Sequence, residues 1–162
     1  MKIQIKYEDH SFPVIQVIAN PDFPKLAENT ESEKAESGAD VHINSSMNVS
    51  NTGEGNARYL CELRINVDRK ESPKAPYFIE MLSLCYLQIE TSGQIKDLER
   101  LAADAAHRML YPAIREMILN LTARQPWGKF SIGLSTLNSE PAEQASNTQP
   151  QRKRIRTSKA AK

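Results

Sequence analysis

Residue types that could carry chemistry are few in this chain and poorly placed for it. Three histidines, His10, His42 and His107, share no metal-type spacing with one another or with Cys61 and Cys85, so each reads as a surface or helix-face side chain. Gly53-Glu54-Gly55 holds two glycines of a dinucleotide fingerprint. The third is missing, and a strand-like run follows where a helix is required, so the segment reads as a turn. No G-x-S-x-G, P-loop or zinc-protease helix pattern occurs. Adjacent carboxylates such as Glu8-Asp9 are common on surfaces and define no acid–base pair. Two cysteines offer no disulfide framework and suit a reducing compartment. These observations imply neither an enzyme nor a resident metal or cofactor.

The sequence instead concentrates apolar surface at Tyr77 to Ile89, YFIEMLSLCYLQI. A strand with one wet face alternates apolar and polar residues. Here Tyr77, Ile79, Met81, Cys85, Leu87 and Ile89 fall on one face, and Phe78, Leu82, Leu84 and Tyr86 on the other. Both faces need a cover. If the protein's own core supplies one, the second is left for a subunit or a ligand.

The elements that position this strand follow from pattern. Ile3, Ile5 and Tyr7 alternate with lysine and glutamine, and a second extended piece, Val14 to Ala19, follows a break at Phe12-Pro13. Residues 20–40, with two prolines and an acidic excess, read as a solvated loop. Val41 to Ser50 and Ala57 to Asp68 alternate strictly around the Gly/Asn turn NTGEGN, which predicts a β-hairpin. A second turn, RKESPKAP, leads into 77–89. Folding it back near Ser72 or Pro73 sets Cys61 and Cys85 almost opposite each other on one face, where they read as two buried thiols. From Leu98 to Leu121 the spacing becomes helical. Thr91 or Ser92 can cap the start, Asp97 and Glu99 suit the positive end of the helix dipole, and Pro112 predicts a kink. Gln125, Pro126 and Gly128 end the helix, and Trp127 to Leu137 form an extended apolar strip. The expected fold is α+β: a four-stranded antiparallel sheet followed by one long kinked helix, with no second C-terminal helix. Residues 1–138 form the domain, and the polar, proline-broken 139–162 a disordered tail.

Composition bounds the partners. A hydrophobic share of 40% and a charged share of 25% are ordinary for a globular protein. No apolar run reaches the roughly 18 residues of a membrane span, and the charged N-terminus is no signal peptide, so the cytoplasm is the expected location without membrane insertion. The net charge of +1 hides a split. Six of the 21 Lys and Arg, and none of the 20 Asp and Glu, lie in 152–162, so the remainder carries 15 against 20, a net of −5. The tail residues Arg152, Lys153, Arg154 and Arg156 could attract phosphate backbones or an acidic protein. A solvated extension is the favoured reading, and with no aromatic residue to stack on bases the tail does not predict nucleic-acid recognition.

At the helix and strip the sequence resembles the SecB family of export chaperones. LYPAIREMILNLTARQPWGKFSIGLSTLN, 110–138, is similar to the end of that family's long helix and its following loop. Leu110-Tyr111-Pro112, Arg115-Glu116 and Phe130-Ser131-Ile132-Gly133-Leu134 match in type, and Tyr7 to Phe12 resembles the end of its first strand. The resemblance covers roughly residues 2–138. It implies a homotetramer built as a dimer of dimers, without ATP or catalysis, that holds unfolded polypeptides in hydrophobic grooves and passes them to the motor SecA. The implied client-binding residues are Phe78, Leu82, Leu84 and Tyr86, with Trp127, Phe130, Ile132 and Leu134. For the first four, burial between subunits competes with client binding. For the last four, core packing weighs equally.

Asp9 and Glu80 match two carboxylates of the family's motor-docking surface, but a third acidic position falls on Pro13. The pI near 7.8 also departs from the acidic family norm, and the motor-binding tail is replaced by a basic one. These departures point toward the SecB-like branch that stabilises an antitoxin in toxin–antitoxin–chaperone systems. General delivery of preproteins to SecA is the alternative, and a nucleic-acid-binding or scaffold role for the tail is a further one.

Overall fold

The computed structural model describes residues 2–24, 41–53, 57–93, 95 and 97–135. Most of the acidic loop, the basic tail with Arg152, Lys153, Arg154 and Arg156, and the expected absence of a second C-terminal helix lie outside the described residues. Four strands, β1 (Ile3–Ala19), β2 (Asn44–Asn51), β3 (Arg58–Val67) and β4 (Tyr77–Thr91), precede one long helix, α1 (Leu98–Thr122). The sheet is antiparallel throughout, in the order β1-β4-β3-β2, which places β4 in the interior and β1 at an edge. This is the expected α+β plan.

β1 departs from its expected form. It is one strand of 17 residues, not two pieces. Glu8 is an extra residue between Tyr7 and Asp9, which pair with the consecutive Leu87 and Tyr86. Phe12 and Pro13 together stand opposite the single Ser83. Each bulge shifts the side-chain phase by one, so Ile5 and then Phe12, Val17 and Ala19 all reach the core although their numbering changes parity. Proline is tolerated because a bulge on an edge strand asks for no ladder amide.

The odd-numbered residues of β4 from Tyr77 to Ile89 are buried, together with Tyr59, Cys61, Leu63, Ile65 and Val67 of β3. α1 covers them with Ala102, Ala106, Leu110, Ile114, Ile118 and Thr122, a ridge at every fourth position. Alanines at its N-terminal end let the backbone come close to the sheet, where the Cys61 thiol lies 3.9 Å from the Ala102 carbonyl. The helix start is capped by Asp97, whose carboxylate accepts from the Arg100 amide at 2.9 Å, and not by Thr91 or Ser92. α1 is continuous through Pro112, which has no amide to offer the Arg108 carbonyl.

α1 lies over β2, β3 and β4 and only grazes β1. Ile3, Tyr7 and Ile15 on the helix side of β1 therefore stay 43–47% exposed. A hub at the end of β1 fixes the sheet to the later loops. The buried Asn20 side chain donates to the carbonyls of Pro73 (3.0 Å) and Ala75 (2.8 Å), while the backbone carbonyl of Asn20 accepts from Trp127 Nε1 at 3.0 Å.

Ile114 is fully buried and Leu134 is 88% exposed. Replacing Ile114 by Ala should lower the free energy of unfolding by about 2–5 kcal/mol. Replacing Leu134 by Ala should change it by no more than about 0.5 kcal/mol. Denaturant titration of the two variants checks both values.

Candidate functional site

The outer face of the sheet, opposite α1, carries Phe78, Leu82, Leu84 and Tyr86 of β4, each half-buried. Register places Ile18 beside Phe78, Val14 beside Leu82 and Leu60 beside Tyr86, which widens the row into an apolar stripe across three strands. Among the described residues no element crosses this face. The next strand ends the stripe, because Asn44, Ser46, Asn48 and Ser50 of β2 point the same way.

Charges flank the stripe and, at Glu80 between Phe78 and Leu82, interrupt it. Arg58 bridges to Glu8 at 2.7 Å and stands 5.2 Å from the Tyr86 ring centroid. Arg64 bridges to Glu80 at 2.6 Å, and Arg69 lies 5.7 Å from the Phe78 ring. A guanidinium over a ring face is weakly attracted by the ring quadrupole and shields part of the apolar surface without sealing it. Beside Phe78 and Ile18 a shallow pocket of about 470 Å³ opens between Gln16, Asp68, Arg69 and Glu80. Asp9 and Glu80 do share this face, on neighbouring strands. Their pairing positions, Tyr86 and Glu80, are six residues apart on β4, so the two carboxylates stand on the order of 20 Å from each other. Glu80 is already neutralised by Arg64.

The strip after α1 runs back along the helix. Gly128, at φ +75°, makes the turn that only glycine adopts freely. Tyr77 then donates from its hydroxyl to the Gly128 carbonyl (2.7 Å) and accepts from the Trp127 amide (3.1 Å). The Thr122 hydroxyl donates to the Ile118 carbonyl and accepts from the Phe130 amide at 2.9 Å. Tyr111 donates to Gly133, and Arg115 donates to Ile132. The strip is thus tied down by its backbone. Trp127 and Phe130 are half-buried against the core, Ile132 is 1% exposed, and Leu134 faces solvent. Of these four, only Leu134 offers a wholly open side chain, and Ile132 is part of the core. The strip and the β4 stripe lie on opposite sides of the sheet.

The histidines are dispersed. His10 shares a hydrogen bond of 2.9 Å with Ser83, His42 lies near Glu71, and His107 is buried on α1, stacked on Tyr111 with ring centroids 5.2 Å apart. Among the described residues no group of three His, Cys, Asp or Glu side chains is placed to hold a metal. Asn20 was not singled out by sequence reasoning. An asparagine before a proline in a loop gives no sign that it will be buried. Ile18 and Val14 were also missed as stripe members, because the bulges that set their phase are invisible in the spacing.

No protein-family model matches the chain, and no curated protein matches it. Several solved structures resemble it, two of them as follows. One is a SecB-like chaperone of Mycobacterium tuberculosis in complex with a ChAD peptide from the HigA1 antitoxin, at 12% identity and a TM-score of 0.48, covering 81% of this chain and 90% of that one. The other is a protein of unknown function from Streptococcus agalactiae, at 12% identity and a TM-score of 0.46, covering 83% of this chain and all of that one.

Burial holds the His107 imidazole below its ordinary range, and the nearby Asp104 opposes the shift only in part. Above about pH 6.5 the folded and unfolded states are both neutral at this position. As the pH falls below that value the unfolded chain gains a proton that the folded chain resists, so stability drops until the folded value is passed. Replacing His107 by Gln should remove this part of the acid slope and leave the two proteins parallel above about pH 7. Denaturation midpoints measured across that range test it.

Proposed function

We propose that this chain is an ATP-independent holdase that binds unfolded or aggregation-prone polypeptide on exposed apolar surface and performs no catalysis. One observation carries the reading. The central strand of the sheet buries one apolar face under α1 and leaves the other, Phe78, Leu82, Leu84 and Tyr86, uncovered by any described element. From Leu82 to Tyr86 the apolar surface is broken only at its flanks, and soluble proteins commonly keep such patches for a partner. An extended client laid across the stripe would bury alternate apolar side chains with little demand on its sequence, and its charged residues would meet the flanking Arg–Glu pairs. Leu134 and the rims of Trp127 and Phe130 would supply a second contact near the end of α1.

The resemblance of residues 2–138 to the SecB family supports the same function and adds an assembly. In a homotetramer, a second copy would cover the free edge of β1 and the exposed Ile3, Tyr7 and Ile15. Within that family, a dedicated antitoxin client is favoured over general delivery to SecA. Glu80 is paired with Arg64 and Pro13 replaces a carboxylate, which weakens the acidic surface that motor docking would need. The cytoplasm is the compartment in which such a chaperone meets its client.

The purified protein should suppress aggregation of a chemically unfolded client without nucleotide. Leu82→Ser combined with Leu84→Ser should weaken suppression several-fold while leaving the melting transition cooperative. Light scattering at several-fold molar excess reads the suppression, and a thermal melt reads the cooperativity. Absence of suppression by the unaltered protein contradicts the proposal, and undiminished suppression by the double variant moves the binding surface away from β4.

A further inference from the structure

Cys61 of β3 and Cys85 of β4 are register partners on adjacent antiparallel strands, on the face beneath α1. Opposed residues in such a ladder have Cα atoms about 4.5 or 5.5 Å apart, depending on the pair type. Both spacings fall inside the roughly 4.4–6.8 Å that a disulfide spans. Both side chains are free thiols with no solvent exposure, and the Cys61 thiol lies 3.9 Å from the Ala102 carbonyl. We propose that they form a two-thiol redox latch, which a hydroperoxide closes into a cross-strand disulfide joining β3 to β4.

The closed surroundings select the oxidant. A mixed disulfide with a bulky thiol has no room beneath Ala102, whereas hydrogen peroxide is small and uncharged and can enter through local opening of α1. The two sulfurs are not equivalent. The neighbouring Cys61 thiol holds the Cys85 thiol below its ordinary range, while Cys85 and then burial raise Cys61. Cys85 is therefore the thiol that gives up its proton first and attacks. Its sulfur takes one peroxide oxygen, the O–O bond breaks, and the departing hydroxide leaves as water after protonation, so that Cys85 becomes a sulfenic acid. Cys61 then attacks that sulfur, the S–O bond breaks, and the thiol proton of Cys61 leaves with the oxygen as a second water. Two thiols lose two electrons in total and one peroxide is reduced to two waters. A small dithiol would reverse the step when the helix opens.

The disulfide would close the chain between residues 61 and 85, restrict the unfolded state and fix the spacing of β3 and β4, the strands that carry Leu60 and the β4 stripe. This inference stands on the fold alone and holds whether or not the outer face binds a client.

The test treats the full-length protein with hydrogen peroxide, removes the excess with catalase, and alkylates the denatured chain before peptide mass mapping. A linked peptide pair containing Cys61 and Cys85, two hydrogens lighter than the sum of its parts and released by dithiothreitol, is expected. Neither Cys61→Ser nor Cys85→Ser should give it. Both cysteines alkylated under conditions that convert the protein's methionines to sulfoxide would overturn the proposal, as would Cys85 halting at sulfinic acid. A melting comparison of the treated native protein before and after dithiothreitol needs no variant. A higher midpoint for the treated protein than for the same treated sample after dithiothreitol supports a latch, and an equal or lower one contradicts it.

Discussion

Packing between β4 and α1 is the constraint on which the remaining structure depends. β4 is flanked on both sides by strands, so its backbone groups are satisfied within the sheet and its side chains decide what the fold does next. The odd-numbered set sits under a helix ridge of alanine, leucine, isoleucine and one threonine. Each large side chain in that seam contributes about 1.5–3 kcal/mol by leaving water. Alanines at 102 and 106 bring the helix down onto the β3–β4 pair. That places two thiols in a closed layer and sets the helix away from β1.

From this placement the exposed surface follows. A single helix covers about three strands' width, so the helix side of β1 stays open and keeps Ile3, Tyr7 and Ile15 partly wet. No second layer lies on the outer face within the described residues, so the even-numbered residues of β4 remain half-buried under their own neighbours. The Arg58–Glu8 pair flanks one end of the stripe and the Arg64–Glu80 pair interrupts it between Phe78 and Leu82; at these exposures both stabilise the fold little. A chain organised in this way carries two apolar surfaces and free strand edges. On the proposed reading, that combination serves assembly and polypeptide holding.

Much of this was legible in the residues. Doubled apolar faces at 77–89, strict alternation in β2 and β3, and helical spacing from Leu98 onward are local patterns, and each predicted its element and the facing of Cys61 toward Cys85. β1 was only half legible, because a bulge changes which residues share a face without leaving a compositional mark. The helix cap was misplaced because Thr91 and Ser92 are good capping types, yet β4 continues through Thr91 and Asp97 is nearer the first turn. For Ile132, whether the strip turned inward depended on distant partners, Tyr111, Arg115 and Thr122, whose bonds to its backbone have no sequence signature. Glu80 matched a docking position by type, while its pairing with Arg64 depends on strand register.

The most direct test of the central claim is where an unfolded client touches the native protein. A photo-crosslinking side chain placed at Leu84, in the stripe, is compared with the same group at Asn48, on the polar part of the same face, in the presence of a chemically unfolded client. The account predicts strong crosslinking at 84 and little at 48. Equal labelling at both positions, or none at 84, would contradict it.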